Sequence, residues 1–122
     1  MTHQVRGQVA FHDGMAAEQR IAQDYERRGF SVARRRWRSA GGEIDLITRD
    51  AGGVVFVEVK KARDFARAAE RLSPRQMARI YASAEAFLAT EPEGQLTNAR
   101  FDVALVDASG RFEIIENAFG QM

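Results

Sequence analysis

An α/β fold, a mixed β-sheet flanked by helices, follows from three features of the sequence. Two segments, residues 14 to 28 and 74 to 88, repeat apolar residues at helical spacing. Five shorter segments are rich in β-branched and aromatic residues and read as strands. Their order along the chain is helix, strand, hairpin, helix and two strands, which a mixed sheet with helices packed on it accommodates. A chain of 122 residues with 45% hydrophobic residues suits a single domain. That domain is expected over residues 13–119, between a flexible arm at 1–12 and a short tail at 120–122.

The first helix carries Ala17, Ile21, Ala22 and Tyr25 on one face, with Asp13 as its expected cap and Gly29 as its stop. Residues 30–36 read as a strand that becomes basic at its end. Residues 37–42 read as a loop, in which Gly41 and Gly42 permit a sharp turn. The runs Gly42-Glu43-Ile44-Asp45-Leu46-Ile47 and Val54-Val55-Phe56-Val57-Glu58-Val59-Lys60 are joined by Asp50-Ala51-Gly52-Gly53, a connection suited to an antiparallel hairpin. Residues 61–71 combine many charges with weak helical tendency and read as a loop with a short helix. Ser73 before Pro74 marks the start of the next helix, whose stripe is Met77, Ile80, Tyr81, Ala84, Phe87 and Leu88. A polar connection leads to strands at 100–106 and 112–116, and Asp102 is expected to pair with Arg100 in a structural role.

Composition narrows the function classes. The chain has no cysteine, which excludes disulfides and thiolate metal sites. It shows no apolar signal region and no run able to span a bilayer, so a cytoplasmic protein without membrane contact is expected. The phosphate-loop, dinucleotide and zinc-protease signatures are missing, and His3 and His12 both fall in the arm, so no organic cofactor is expected. The formal charge of +1 hides an uneven distribution: residues 27–38 hold six arginines and no acid, while residues 80–122 hold two basic and seven acidic residues. Sixteen of the eighteen basic residues are arginine, whose planar guanidinium grips phosphate through two hydrogen bonds. A nucleic acid is the partner this pattern suits best.

The chemistry concentrates in the hairpin. Alternation places Glu43 and Asp45 on one face of its first strand, and Glu58 and Lys60 on one face of its second. Pairing the strands would set these polar rows side by side. Burying two carboxylates is costly without a cation nearby, which either Lys60 or a divalent metal could supply. Glu18 begins the apolar face of the first helix; it either complements the helix dipole or points toward Asp45 and Glu58. Gln76 either is an ordinary exposed glutamine or reaches a phosphate oxygen or a water. Trp37 either stacks on a base or covers the core edge.

Asp45, twelve intervening residues and then Glu58-Val59-Lys60 resemble the catalytic pattern of the PD-(D/E)XK nuclease superfamily. With Glu18 upstream and Arg100-Phe101-Asp102-Val103 downstream, residues 14–119 resemble the YraN/UPF0102 family. The resemblance implies a restriction-endonuclease-like, or Holliday-junction-resolvase-like, fold. It also implies a metal-dependent endonuclease acting on DNA, in branched or repair and recombination intermediates. Asp45 and Glu58, with Glu18 directly or through water, then correspond to ligands of Mg²⁺ or Mn²⁺, and Lys60 to the residue that positions or activates the attacking water. Gln76 stands where lysine is common in the family, and Ile44 replaces the leading proline of the superfamily pattern. Arg34, Arg35, Arg36, Trp37, Arg38, Lys61, Arg63 and Arg75 are the candidates for nucleic-acid contact, and cutting opposing strands would call for a homodimer. A non-catalytic nucleic-acid-binding protein and a protein-interaction domain are the alternatives on the same fold.

Overall fold

A computed structural model of the chain describes the backbone of residues 6–119 and the side chains of residues 16–119. Its elements are α1 (Arg6–Arg27), β1 (Ser31–Ser39), β2 (Gly42–Asp50), β3 (Gly53–Lys61), α2 (Phe65–Glu70), α3 (Pro74–Leu88), β4 (Ala99–Val106) and β5 (Phe112–Ile115). The five strands form one sheet in chain order. All neighbours are antiparallel except β3 and β4, which run parallel. A parallel pair needs a long crossover, and here α2 and α3 supply it.

Helices cover both faces of the sheet. Ala17, Ile21 and Tyr25 of α1 pack with Leu46, Val55, Val57, Ala104 and Val106 on one face. Ile80, Ala84 and Phe87 of α3 pack with Ile44, Ile47, Phe56 and Phe101 on the other. Val57 and Phe56 are adjacent and both buried, which is why β3 reads as a continuous apolar run in its first half. The short α2 closes the α3 side over β4, where Ala68 meets Val103 and Leu105.

Local signals account for the ends of these elements. Gly29 follows α1 with a φ of 99°, a conformation glycine adopts without strain. Ser73 Oγ accepts the Gln76 N–H at 3.1 Å and caps α3. Asp50 Oδ1 accepts the Gly52 and Gly53 N–H groups at 2.8 and 3.1 Å in the β2–β3 turn. Gly53 has a φ of 146°, and the Asn98 carbonyl leaves no space there for a Cβ.

Two boundaries differ from the sequence reading. The first helix starts at Arg6, so Asp13 and Gly14 lie inside it instead of opening it. Helical hydrogen bonding needs no apolar periodicity, and no proline interrupts these residues, so the break expected before residue 13 does not occur. Strand β1 continues to Ser39, so Trp37 and Arg38 belong to a strand and the connection shrinks to a turn at Ala40 and Gly41. Residues 1–5 of the expected arm and the tail at 120–122 lie outside the described residues.

Asp102 ties α1 to the far end of the sheet. Its carboxylate is 1% exposed and accepts from the Tyr25 hydroxyl at 2.6 Å, from Arg100 at 3.0 and 3.2 Å, and from the Asn117 N–H at 3.0 Å. This is the structural role expected of it, with Tyr25 and Asn117 as additional partners. Tyr25→Phe removes one donor to this buried charge and leaves the others. It is expected to lower unfolding free energy by about 1–3 kcal/mol with an unchanged native far-UV spectrum, read as a shift in the urea midpoint.

Candidate functional site

The site forms where β2 and β3 part. Their ladder runs from Asp50–Gly53 to Leu46–Val57 and stops there. Beyond that point the Val59 N–H is accepted by Asp45 Oδ2 at 2.8 Å, so a side chain stands in for the missing strand partner. The regular ladder expected to set Glu43 and Asp45 opposite Glu58 and Lys60 is therefore replaced by a split. Its cause lies on both strands. Arg36 of β1 has a φ of 49°, and the β1–β2 register passes from Arg35–Leu46 to Trp37–Ile44 without pairing Arg36 to Asp45. Ile44 belongs to the α3 side of the core and Leu46 to the α1 side, although residues two apart in a regular strand share a face. The alternation breaks at Asp45.

Glu58 is 6% exposed. Its Oε2 accepts from Gln76 Nε2 at 3.2 Å and lies 3.6 Å from Lys60 Nζ. Its Oε1 is buried with no hydrogen-bond partner among the described residues. Burial, and then the Asp45 carboxylate, push the Glu58 carboxyl up from 4.5 to about 8, against the opposing pull of Lys60. Burial likewise raises Asp45, opposed by the Val59 N–H and by Lys60. Two carboxylates are thus held together with a single ammonium beside them. One buried oxygen of the pair still lacks a partner, and an oxygen-ligating divalent cation would satisfy that demand.

The other expected site residues come from α1, β1, the end of β3 and the chain from there to the start of α3. Glu18 approaches from α1, where burial and then Asp45 raise its pKa, and it pairs with Arg36 at 3.2 Å. Among the described residues, no three carboxylate or imidazole side chains form a group that could hold a metal. Gln76, in the first turn of α3, is brought into the site by the Ser73 cap and touches Glu58 directly. Arg35 reaches toward Gln19, Arg38 pairs with Glu43 at 3.3 Å, and Arg34 contacts the Ala33 carbonyl at 2.7 Å. Lys61 ends β3, while Arg63 and Arg75 are exposed beyond it and at the start of α3. Trp37 packs edge-on against Phe87 with ring centres 5.5 Å apart, in the core-covering role.

Two contributors were invisible in the sequence pattern. The left-handed backbone of Arg36 has no composition signal, because arginine rarely adopts it. Ser83 is fully buried on α3, and its Oγ accepts the Ser39 hydroxyl at 3.0 Å. A Cβ on Gly41 would come within 2.9 Å of Ala82, so only glycine lets the β1–β2 turn sit this close to α3. The paired glycines signalled a sharp turn but not the helix packed against it.

Comparison with known proteins gives consistent relatives. A model of the uncharacterised protein family UPF0102 matches residues 17–106. A UPF0102 protein of Ruegeria pomeroyi is 65% identical over 107 residues, covering 88% of this chain and 87% of that one. Another, from Cereibacter sphaeroides, is 61% identical over 113 residues, covering 93% of this chain and 97% of its own. Among solved structures, a repair endonuclease from Pyrococcus abyssi matches 78% of this chain and 38% of its own, with 20% identity and a TM-score of 0.49. A protein of unknown function from Silicibacter pomeroyi matches 80% of this chain and 65% of its own, with 16% identity and a TM-score of 0.38. Among the described residues, no helix is long and apolar enough to cross a membrane.

The raised Glu58 carboxyl has a thermodynamic consequence. Between its ordinary value of 4.5 and about 8, the folded protein binds more protons than the unfolded chain, so stability falls as pH rises through that window. Asp45 and Glu18 shift in the same direction and add to the slope. In EDTA, the urea midpoint of the wild type is expected to fall between about pH 5 and pH 8, and Glu58→Gln is expected to flatten the decline. An equal slope in both proteins would contradict the assignment.

Proposed function

The chain belongs to the UPF0102 family, and we propose that it is a divalent-metal-dependent endonuclease that hydrolyses DNA phosphodiester bonds. One observation carries the reading: the split between β2 and β3 brings Asp45, Glu58 and Lys60 together, with a buried Glu58 oxygen unpartnered among the described residues. Structural ion pairs normally satisfy both oxygens of a buried carboxylate. A pair built to receive a cation leaves one available.

Asp45 and Glu58 would hold Mg²⁺ or Mn²⁺. Such an ion, when bound, polarises a phosphate oxygen and lowers the pKa of a water molecule. The remaining work belongs to the chain. The Val59 N–H fixes Asp45 through Oδ2. Gln76 holds Glu58 through Oε2 and so sets which oxygen faces the site. Lys60, with a side chain only 14% exposed, is steadied by Glu58 and supplies positive charge where the phosphate gains negative charge during attack. Its role is to orient water and stabilise charge, and the cut proceeds by direct hydrolysis without a protein-linked intermediate. Arg34, Arg63 and Arg75 are exposed and are the residues proposed for the flanking phosphates.

A second reading, a non-catalytic nucleic-acid-binding protein on the same fold, is favoured by the lack of a three-ligand acidic group among the described residues. The two readings separate in one set of assays. With linear, single-stranded, flap and four-way DNA in Mg²⁺ or Mn²⁺, the nuclease reading expects metal-dependent cleavage. Asp45→Ala, Glu58→Ala and Lys60→Ala should each lower the rate at least about 100-fold. Salt-sensitive binding that survives these substitutions, with no cleavage by any protein, would support the second reading instead.

A further inference from the structure

Beside the carboxylate pair lies a cavity of about 560 Å³ between α1 and the β1–β2 pair. Among the described residues its walls are Ala16, Glu18 and Gln19 of α1, Arg35 and Arg36 of β1, and Asp45 and Leu46 of β2. The strand residues form two couples of sequence neighbours, Arg35 with Arg36 and Asp45 with Leu46. In a regular strand, neighbouring side chains point to opposite faces, so a regular β1–β2 ladder would not put both members of either couple on one cavity. The left-handed backbone at Arg36, and the broken alternation at Asp45, allow it. A non-glycine residue in that conformation is strained, and the irregularity that splits the site also opens this space.

Resting on the reading of the site as a nucleic-acid phosphate centre, we infer that this cavity receives an unpaired nucleobase of single-stranded DNA adjacent to the scissile phosphate. Its volume falls within the range of small-ligand pockets, well above that of a trapped water. Its lining is matched to a base. Leu46 and Ala16 offer apolar contact, the Arg35 guanidinium offers a planar cation for stacking, and the Gln19 amide carries both a donor and an acceptor for a base edge. In the free protein, Arg35 Nη1 and Gln19 Oε1 lie 3.5 Å apart, at the outer limit of a hydrogen bond, so little is lost when a base comes between them. The Glu18–Arg36 pair lines the same cavity and adjoins Asp45, which is itself a wall. A base seated here therefore places its own phosphate next to the carboxylates. A base inside a duplex must first be unstacked and unpaired to enter, whereas one in a single strand escapes most of that penalty.

Binding can be measured in EDTA, where no strand is cut, with a short single strand carrying 2-aminopurine and with its duplex. The expected result has three parts: the single strand binds at least about tenfold more tightly than the duplex, 2-aminopurine emission changes on binding, and Ala16→Phe removes both the preference and the emission change. Duplex affinity should stay within about twofold, because phosphate contacts dominate it. If Ala16→Phe does not fold, as judged by thermal melting, Gln19→Ala and Arg35→Ala at exposed positions carry the test and should each weaken single-strand binding. Equal affinity for single strand and duplex, or single-strand binding unmoved in every folded variant, overturns the inference. The nuclease reading fails separately: absence of Mn²⁺-dependent cleavage alongside the expected binding pattern refutes catalysis and supports the base subsite. Cleavage with that pattern absent does the reverse.

Discussion

The hydrogen bond from the Val59 N–H to Asp45 Oδ2 is the contact on which the site's geometry depends. A backbone donor on a central strand must find an acceptor, and in a continuous ladder the acceptor would be a main-chain carbonyl. Here the carboxylate takes that place. The two strands can then separate without orphaning the donor, and Asp45 is drawn toward β3, where Glu58 already stands. One interaction thus satisfies the backbone and creates the carboxylate pair, so the fold cannot relax the pair by turning Asp45 to solvent without exposing an unsatisfied N–H. The neighbouring ladder from Leu46–Val57 to Asp50–Gly53 anchors the split at its closed end.

The electrostatic tension at this point is large, and the rest of the molecule is arranged to sustain it. Burial raises both Asp45 and Glu58, and nearby negative charge adds to it, from Glu43 at Asp45 and from Asp45 at Glu58. Lys60 offsets part of this effect, and Gln76 contributes a hydrogen bond without charge. The compensating stability lies in the apolar layers on both faces of the sheet, where Leu46, Val55 and Val57 meet α1 while Ile44, Ile47 and Phe56 meet α3. The same two strands therefore carry the best-packed part of the core and its least comfortable charges. Such a coincidence is expected where function is held against folding preference.

How much of this was readable in the sequence follows from which features leave a pattern. Asp45, Glu58 and Lys60 stood out because charge inside an otherwise apolar strand is rare, and the turn residues between the strands predicted that they would meet. The Ser73-Pro74 signal likewise placed α3 and, with it, Gln76. The split itself was not readable: a regular hairpin was expected, and the break in alternation depends on the backbone of Arg36, a residue whose type gives no hint of it. The sequence leaves Trp37 between base stacking and covering the core edge because β1 is expected to end before it; in the strand, it turns to Phe87. The start of α1 was also missed, since an amphipathic pattern reports burial of a helix face and not helix formation as such.

The arginine-rich stretch shows why a charge tally overstates the field around such a site. Arg36 pairs with Glu18 and Arg38 with Glu43, so the acids nearest the carboxylate pair already hold two of the strand's cations. The guanidinium ends of both pairs are exposed, and ion pairs open to solvent contribute roughly 0–1 kcal/mol, with screening weakening them further. They are strong enough to keep the guanidinium groups near the cleft and weak enough for a polyanion to displace. A phosphate that takes Arg36 or Arg38 frees a carboxylate, and that carboxylate then adds to the negative field around Asp45. Polyanion binding and cation binding at the pair would therefore reinforce each other. The same acids that mute the basic face in the free protein would then favour a cation beside Asp45 once a polyanion is bound.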